Sequence, residues 1–112
     1  EGIAQRAYSR EVLISSANRV EELANQYQTI VAVAPSRAHW YGEENDRAVA
    51  GRIHLEFIEL LQERNLHVVD FRKKFEKNGE PLQFFFKNDG HWNWVGHSAG
   101  AKAIANYISN SQ

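Results

Sequence analysis

Residues 88–100, Asn-Asp-Gly-His-Trp-Asn-Trp-Val-Gly-His-Ser-Ala-Gly, concentrate the side chains best suited to chemistry. Asp89 and His91 stand two apart, ahead of a segment with helical periodicity. In extended backbone such residues project to the same side, so the Asp89 carboxylate can reach a ring nitrogen of His91. A carboxylate there fixes the imidazole tautomer and stabilises the imidazolium. The other nitrogen is left free to take a proton from a hydroxyl nucleophile. Asn93 is placed to cap the next helix, which locks the backbone just past His91. Gly90 and Gly96 allow a tight turn or a close approach. On spacing alone, the same residues also read as a plain turn with a histidine in a capping loop, and both readings stand.

A rival lies in the same segment. Gly96-His97-Ser98-Ala99-Gly100 matches Gly-x-Ser-x-Gly, the nucleophile elbow of α/β-hydrolases, with Ser98 as nucleophile. That elbow needs a buried strand directly before it, and residues 89–95 carry too many polar and turn residues. The plainer reading puts Ser98 in the first turns of the last helix. His39, His91, His97 and Asp89 are conceivable metal ligands, but no ligand spacing such as HExxH occurs. No metal and no cofactor are expected.

The elements that must position these residues follow from periodicity. Leu13, Ala17, Val20, Ala24 and Tyr27 predict one face of a helix over 3–27. Residues 29–34 (TIVAVA) predict a strand buried on both faces, ended by Pro35. A helix over 46–64 shows Val49, Ile53, Phe57, Leu60 and Leu61 on its apolar face, with Asn45 or Asp46 as cap. Residues 66–71 (LHVVDF) predict a second buried strand, and 72–77 a short turn or helix before the Asn78-Gly79 turn. Residues 81–86 are apolar and read as extended. The last helix starts after Asn93 and runs to about Ser109, with His97, Ala101, Ile104, Ala105 and Ile108 on one face. Helix, strand, helix, strand, helix is an α/β pattern with two parallel strands and a right-handed crossover.

Ligands in open α/β sheets bind beyond the carboxyl ends of strands. The loop at 36–42 leaves such an end, so Arg37, His39, Trp40 and Tyr41 are candidates for a substrate pocket beside His91. Trp92 is a candidate aromatic wall, suited to a sugar ring or acyl group. Packing within the fold is the competing reading for Trp40 and Trp92, and the preferred one for Trp94.

Composition sets the outer bounds. The chain has 112 residues, 43% hydrophobic and 24% charged, with a formal net charge of −1. That suits one domain and predicts neither nucleic-acid nor membrane-surface binding. No apolar run is long enough to span a bilayer. Without cysteine there is no disulfide or thiolate site. The chain begins at Glu1 and contains no methionine, which reads as a piece of a longer chain. Two apolar strands make a small sheet that wants further neighbours, which also predicts a partial domain.

The pattern Asp89-x-His91-x-Asn93-x-x-Gly96-His97, followed by the helix ending Ile104-Ala105-x-Tyr107-Ile108, resembles the last block of the SGNH/GDSL hydrolase superfamily. The order of elements before it is compatible with that family. The resemblance implies a flavodoxin-like, three-layer SGNH fold represented by its C-terminal half. It implies that His91 is the base and Asp89 its orienting acid in a Ser-His-Asp triad whose serine lies outside the chain. Many members place the aspartate three residues before the histidine, where this sequence has Asn88. The two-residue spacing resembles the branch that includes O-acetyltransferases, and also plainer GDSL-type hydrolases. The Gly-Asp-Ser and Gly-x-Asn-Asp blocks of the family are absent; residues 42–46 resemble the latter only superficially, and Asn45 and Asp46 read as helix-capping residues. The implied substrate is an acyl ester, with a carbohydrate as a candidate carrier. The implied partner is the rest of the domain or a partner chain. A non-catalytic module binding carbohydrate or protein is the alternative of a different class.

Overall fold

The computed structural model describes residues 9–111. Helix α1 spans Arg10–Gln26, and Ser9 caps it by accepting the Val12 N–H. The part of the expected first helix before Ser9 lies outside the described residues. Strand β1 is Val31–Val33, followed by a 3-10 turn at Arg37–His39. Helix α2 is Glu44–Glu63, strand β2 is Val68–Asp70, and the short helix α3 is Phe71–Glu76. A second 3-10 turn, Pro81–Phe84, precedes helix α4, Trp94–Asn110.

The strands are parallel and adjacent, with Val31 opposite Val68 and Val33 opposite Asp70. Paired residues share a face, and successive residues alternate. On one face Val31, Val33 and Val68 pack with Ala17 of α1 and Leu60 and Leu61 of α2. On the other face Val69 meets Phe71 and Ala103 of α4. Helices therefore lie on both sides of the sheet, as the α/β pattern predicts. Burial of β1 on both faces does not hold: Ala32 is exposed because α4 lies over β2.

Helix α2 ends in a full Schellman motif. Asn65 takes the left-handed conformation (φ 58°), its N–H reaches the Gln62 carbonyl, and the Leu66 N–H reaches the Leu61 carbonyl. The start of α2 departs from expectation. Glu43 holds the cap position with no side-chain cap bond, and Asn45 and Asp46 sit inside the first turn. An acid there still favours the positive end of the helix.

Two further departures concern the region under the Asp89/His91 pair. Residues 81–84 wind into a 3-10 turn rather than a strand, with Pro81 at its start, where a missing N–H costs nothing. The buried side of α4 is Gly96, Gly100 and Ala103, not the expected alanine and isoleucine face; Ala101 and Ala105 are exposed. Glycine lets the helix press against large rings. A Cβ on Gly96 would lie 2.4 Å from the Phe84 carbonyl oxygen, and one on Gly100 3.0 Å from Trp92. The rings so admitted form an aromatic core. Phe75, fully buried, stacks on Phe84 with centroids 4.3 Å apart and meets Phe85 and Trp92.

Candidate active site

Phe84, Phe85, Trp92 and Asn93 build the platform that carries the pair. Phe85 and Trp92 face each other in an antiparallel bridge, the Phe86 N–H donates to the His91 carbonyl (3.1 Å), and the Asn93 N–H donates to the Phe84 carbonyl (2.9 Å). Side chains alternate along such a ladder. Phe85 and Trp92 turn into the aromatic core, so Phe86 and His91 turn outward. Phe86 is 53% exposed.

Asn93 locks this hairpin to α4. Its Oδ1 accepts the Gly96 N–H at 3.0 Å, which is the expected helix cap. Its Nδ2 also donates to the Gln83 and Phe85 carbonyls, at 2.8 and 3.0 Å. The sequence pointed to the cap but not to this second grip, which depends on the fold.

At the hairpin tip, Asp89 Oδ1 accepts from the His91 backbone N–H at 2.9 Å and from His91 Nδ1 at 2.5 Å. With a carboxylate as partner, Nδ1 must be the protonated nitrogen, which leaves Nε2 as the acceptor. The His91 side chain is 87% exposed. The Asp89 carboxyl is held below the usual carboxylate range, chiefly by the His91 side-chain hydrogen bond and then by its backbone N–H; the Arg37 charge adds to this. The arrangement is an ionised acid orienting an outward imidazole that can accept a proton.

The other sequence candidates fall in different places. Arg37 comes to the pair's loop: its Nη2 donates to the Lys87 carbonyl at 2.8 Å, and its guanidinium lies 3.8 Å over the Tyr41 ring. Trp40 leans inward against Phe75 and Phe85 and donates its indole N–H to Glu76 at 2.8 Å. Trp92 packs beside Phe71, Phe75 and His97. Both rings are half-buried and pack against Phe75. Trp94, expected to pack, is instead 79% exposed at the start of α4. Ser98 lies exposed within α4, with no strand before it.

His39 is buried, and neither ring nitrogen has a hydrogen-bond partner among the described residues. Its ring meets Trp40 and His54 edge-on. Burial, with the Arg72 and His54 charges, lowers its pKa from 6.5 to about 4, so it is neutral at pH 7. A cavity of about 680 Å3 beside it, bordered by Leu13, Val33, Ile53 and Phe57, includes neither Asp89 nor His91.

A second Asp/His pair escaped the sequence reading. His54 Nε2 contacts Asp70 Oδ1 at 2.7 Å, with side chains 6% and 15% exposed. Asp70 also caps α3 by accepting the Arg72 N–H at 3.0 Å. Among the described residues no group of three or more His, Asp or Glu could hold a metal ion. No helix among them is long and apolar enough to cross a membrane.

Two parallel strands layered between helices, with the Asp-x-His block ahead of the last helix, define an α/β chain of SGNH-like architecture. The chain belongs to the family described as the SGNH hydrolase-like domain of acetyltransferase AlgX, whose model matches residues 4–112. Searches of curated proteins and of solved structures give no match.

Proposed function

We propose that this chain supplies the acid and base for acyl transfer through a serine contributed from outside these residues, within a domain that extends beyond them. The observation that carries the reading is the Asp89 carboxylate on His91 Nδ1, with the imidazole turned to solvent. The serine hydroxyl attacks the acyl carbon and its proton passes to His91 Nε2. The departing oxygen takes that proton, leaving an acyl-serine. A second hydroxyl then gives its proton to His91 as it attacks; the bond from the acyl carbon to the serine oxygen breaks, and that oxygen takes the proton back from His91 as the acyl group stays on the acceptor. With a sugar hydroxyl as acceptor this is an O-acetyltransferase, a reading supported by the word acetyltransferase in the family description. With water it is an esterase.

Asp89 serves by holding the tautomer and stabilising the imidazolium. No metal or cofactor enters the scheme. The test is turnover of p-nitrophenyl acetate, and transfer to a glycan, by the full-length protein and its His91→Ala variant. Loss of both activities with the fold intact supports the reading.

A binding module is favoured by one observation: Tyr41, Phe86 and Trp94 are 55%, 53% and 79% exposed on or near the loops around the pair. Saturable glycan binding by a full-length protein that turns over no ester would select that reading.

A further inference from the structure

We propose that Arg37 is the positioning residue of the Asp89/His91 pair, gripping the loop that carries Asp89 while Tyr41 holds the guanidinium in place. The inference rests on the acid–base reading of that pair and assigns Arg37 to the acid rather than to the substrate.

Beyond the two bonds that Asp89 Oδ1 accepts from His91, the loop has little of its own to fix it. Residues 87–90 are all exposed. The hairpin ladder stops at the bond from the Phe86 N–H to the His91 carbonyl. Within the tip, the Asp89 N–H makes a long 3.4 Å bond to the Phe86 carbonyl. Among the described residues, the hydrogen bond that reaches this tip from outside the hairpin is Arg37 Nη2 to the Lys87 carbonyl, at 2.8 Å, across 50 positions of sequence. Lys87 is two residues from Asp89, so a shift of that carbonyl is passed to the acid.

Arg37 is itself well anchored. It opens the 3-10 turn just after β1, and its own carbonyl accepts the Trp40 and Tyr41 N–H groups at 3.0 and 3.1 Å. The same turn sets the Tyr41 ring under the guanidinium, with 3.8 Å from Cζ to the centroid. A planar cation can stack by its face while donating in its plane, and an ammonium cannot do both in this geometry. The acid is thereby referenced to the end of the sheet. The guanidinium charge also favours the ionised carboxylate.

The experiment uses the full-length protein and three variants, Arg37→Met, Arg37→Lys and Tyr41→Leu. It reads the NMR titration of the Asp89 carboxyl, the order of the amides at 87–90, and steady-state turnover of p-nitrophenyl acetate. In Arg37→Met the Asp89 midpoint moves up, the tip amides lose order, and kcat falls roughly tenfold while KM stays within about twofold. Arg37→Lys returns the midpoint towards wild type but leaves the tip disordered and recovers part of kcat. Tyr41→Leu loosens the tip less than Arg37→Met. An Arg37→Met protein with an unmoved Asp89 midpoint and a wild-type tip overturns the proposal, as does a change confined to KM. Turnover that survives His91→Ala removes the acid–base reading instead, and the titration and amide order still judge Arg37 on their own.

Discussion

Among the described residues, two aspartate–histidine pairs share one kind of hydrogen bond and differ in burial and in the ring nitrogen that makes it. Asp89 and His91 sit at a hairpin tip, joined through Nδ1, with side chains 53% and 87% exposed. Asp70 and His54 join β2 to α2 through Nε2, with side chains 15% and 6% exposed. In the first pair the free nitrogen points at solvent, where a hydroxyl can meet it. In the second, the bonded nitrogen is the one at the far end of the ring, and it is spent on tying a helix to a strand. On the proposed reading, burial and the choice of nitrogen are what separate a base from a strut. Contact distance does not, since 2.5 and 2.7 Å are close to each other.

The sharpest way to break this contrast is to remove each imidazole. His91→Ala should lower acyl turnover of the full-length protein by roughly 10³-fold or more, about 4 kcal/mol in the barrier. Its unfolding free energy should stay within about 0.5 kcal/mol of wild type, as expected at an exposed position. His54→Ala should do the reverse. Stranding the Asp70 carboxylate should destabilise the protein by about 3 kcal/mol in denaturant titration. Turnover per folded molecule should remain within about twofold at permissive temperature. If His54→Ala abolished turnover in well-folded protein, the buried pair would not be a strut.

Acid provides the next test. A group whose folded pKa is depressed adds stability above its unfolded value, and that stability is lost as pH falls through the folded value. For His39 the window runs from 6.5 down to about 4. The expected loss across it is at most about 3 kcal/mol, read as a pH-dependent denaturation midpoint. His39→Phe should flatten that slope, and an unchanged slope would assign it elsewhere. Burial opposes ionisation of Asp70, but the His54 hydrogen bond and charge, with the Arg72 N–H, outweigh it, and its pKa is lowered. Its contribution is therefore lost only below the ordinary carboxylate value of 3.8.

The smallest effect sharpens the contrast from below. Gly96→Ala forces a methyl against the Phe84 carbonyl and Trp92, which should cost about 2 kcal/mol of stability. Because α4 would have to shift under the hairpin, turnover should fall with it, by about tenfold. An alanine accepted with no change in melting would mean that this contact is looser than the backbone places it.

The exposed pair was legible because its partners are neighbours in sequence. A period-two spacing and a capping asparagine say in one dimension what the fold says in three. The buried pair was not, because His54 and Asp70 are 16 residues apart and meet only when α2 lies on the face of the sheet that holds Asp70. Helix α4 misled for another reason. Periodicity counts apolar side chains, and Gly96 and Gly100 mark the buried side by having none. Trp40 reads as a pocket residue because its loop leaves the carboxyl end of a strand, and Trp92 as an aromatic wall; that both rings also pack against Phe75 is a tertiary fact that the sequence does not carry. Arg37 stood out in the sequence as a charged residue after a strand, but its reach to the Lys87 carbonyl needed the tertiary structure.

The three hydrogen bonds of the Asn93 side chain have a consequence for the timescale on which the tip is lost. One amide group closes the first turn of α4 and clasps the Gln83 and Phe85 carbonyls on the arm leading into the tip. Unwinding that turn and opening the hairpin are then a single event rather than two. In native-state hydrogen exchange, the amides of Phe86, Asn93 and Gly96 should share one opening free energy and one denaturant dependence, as members of one cooperative unit. The tip beyond them can flicker while its base endures as long as the helix does.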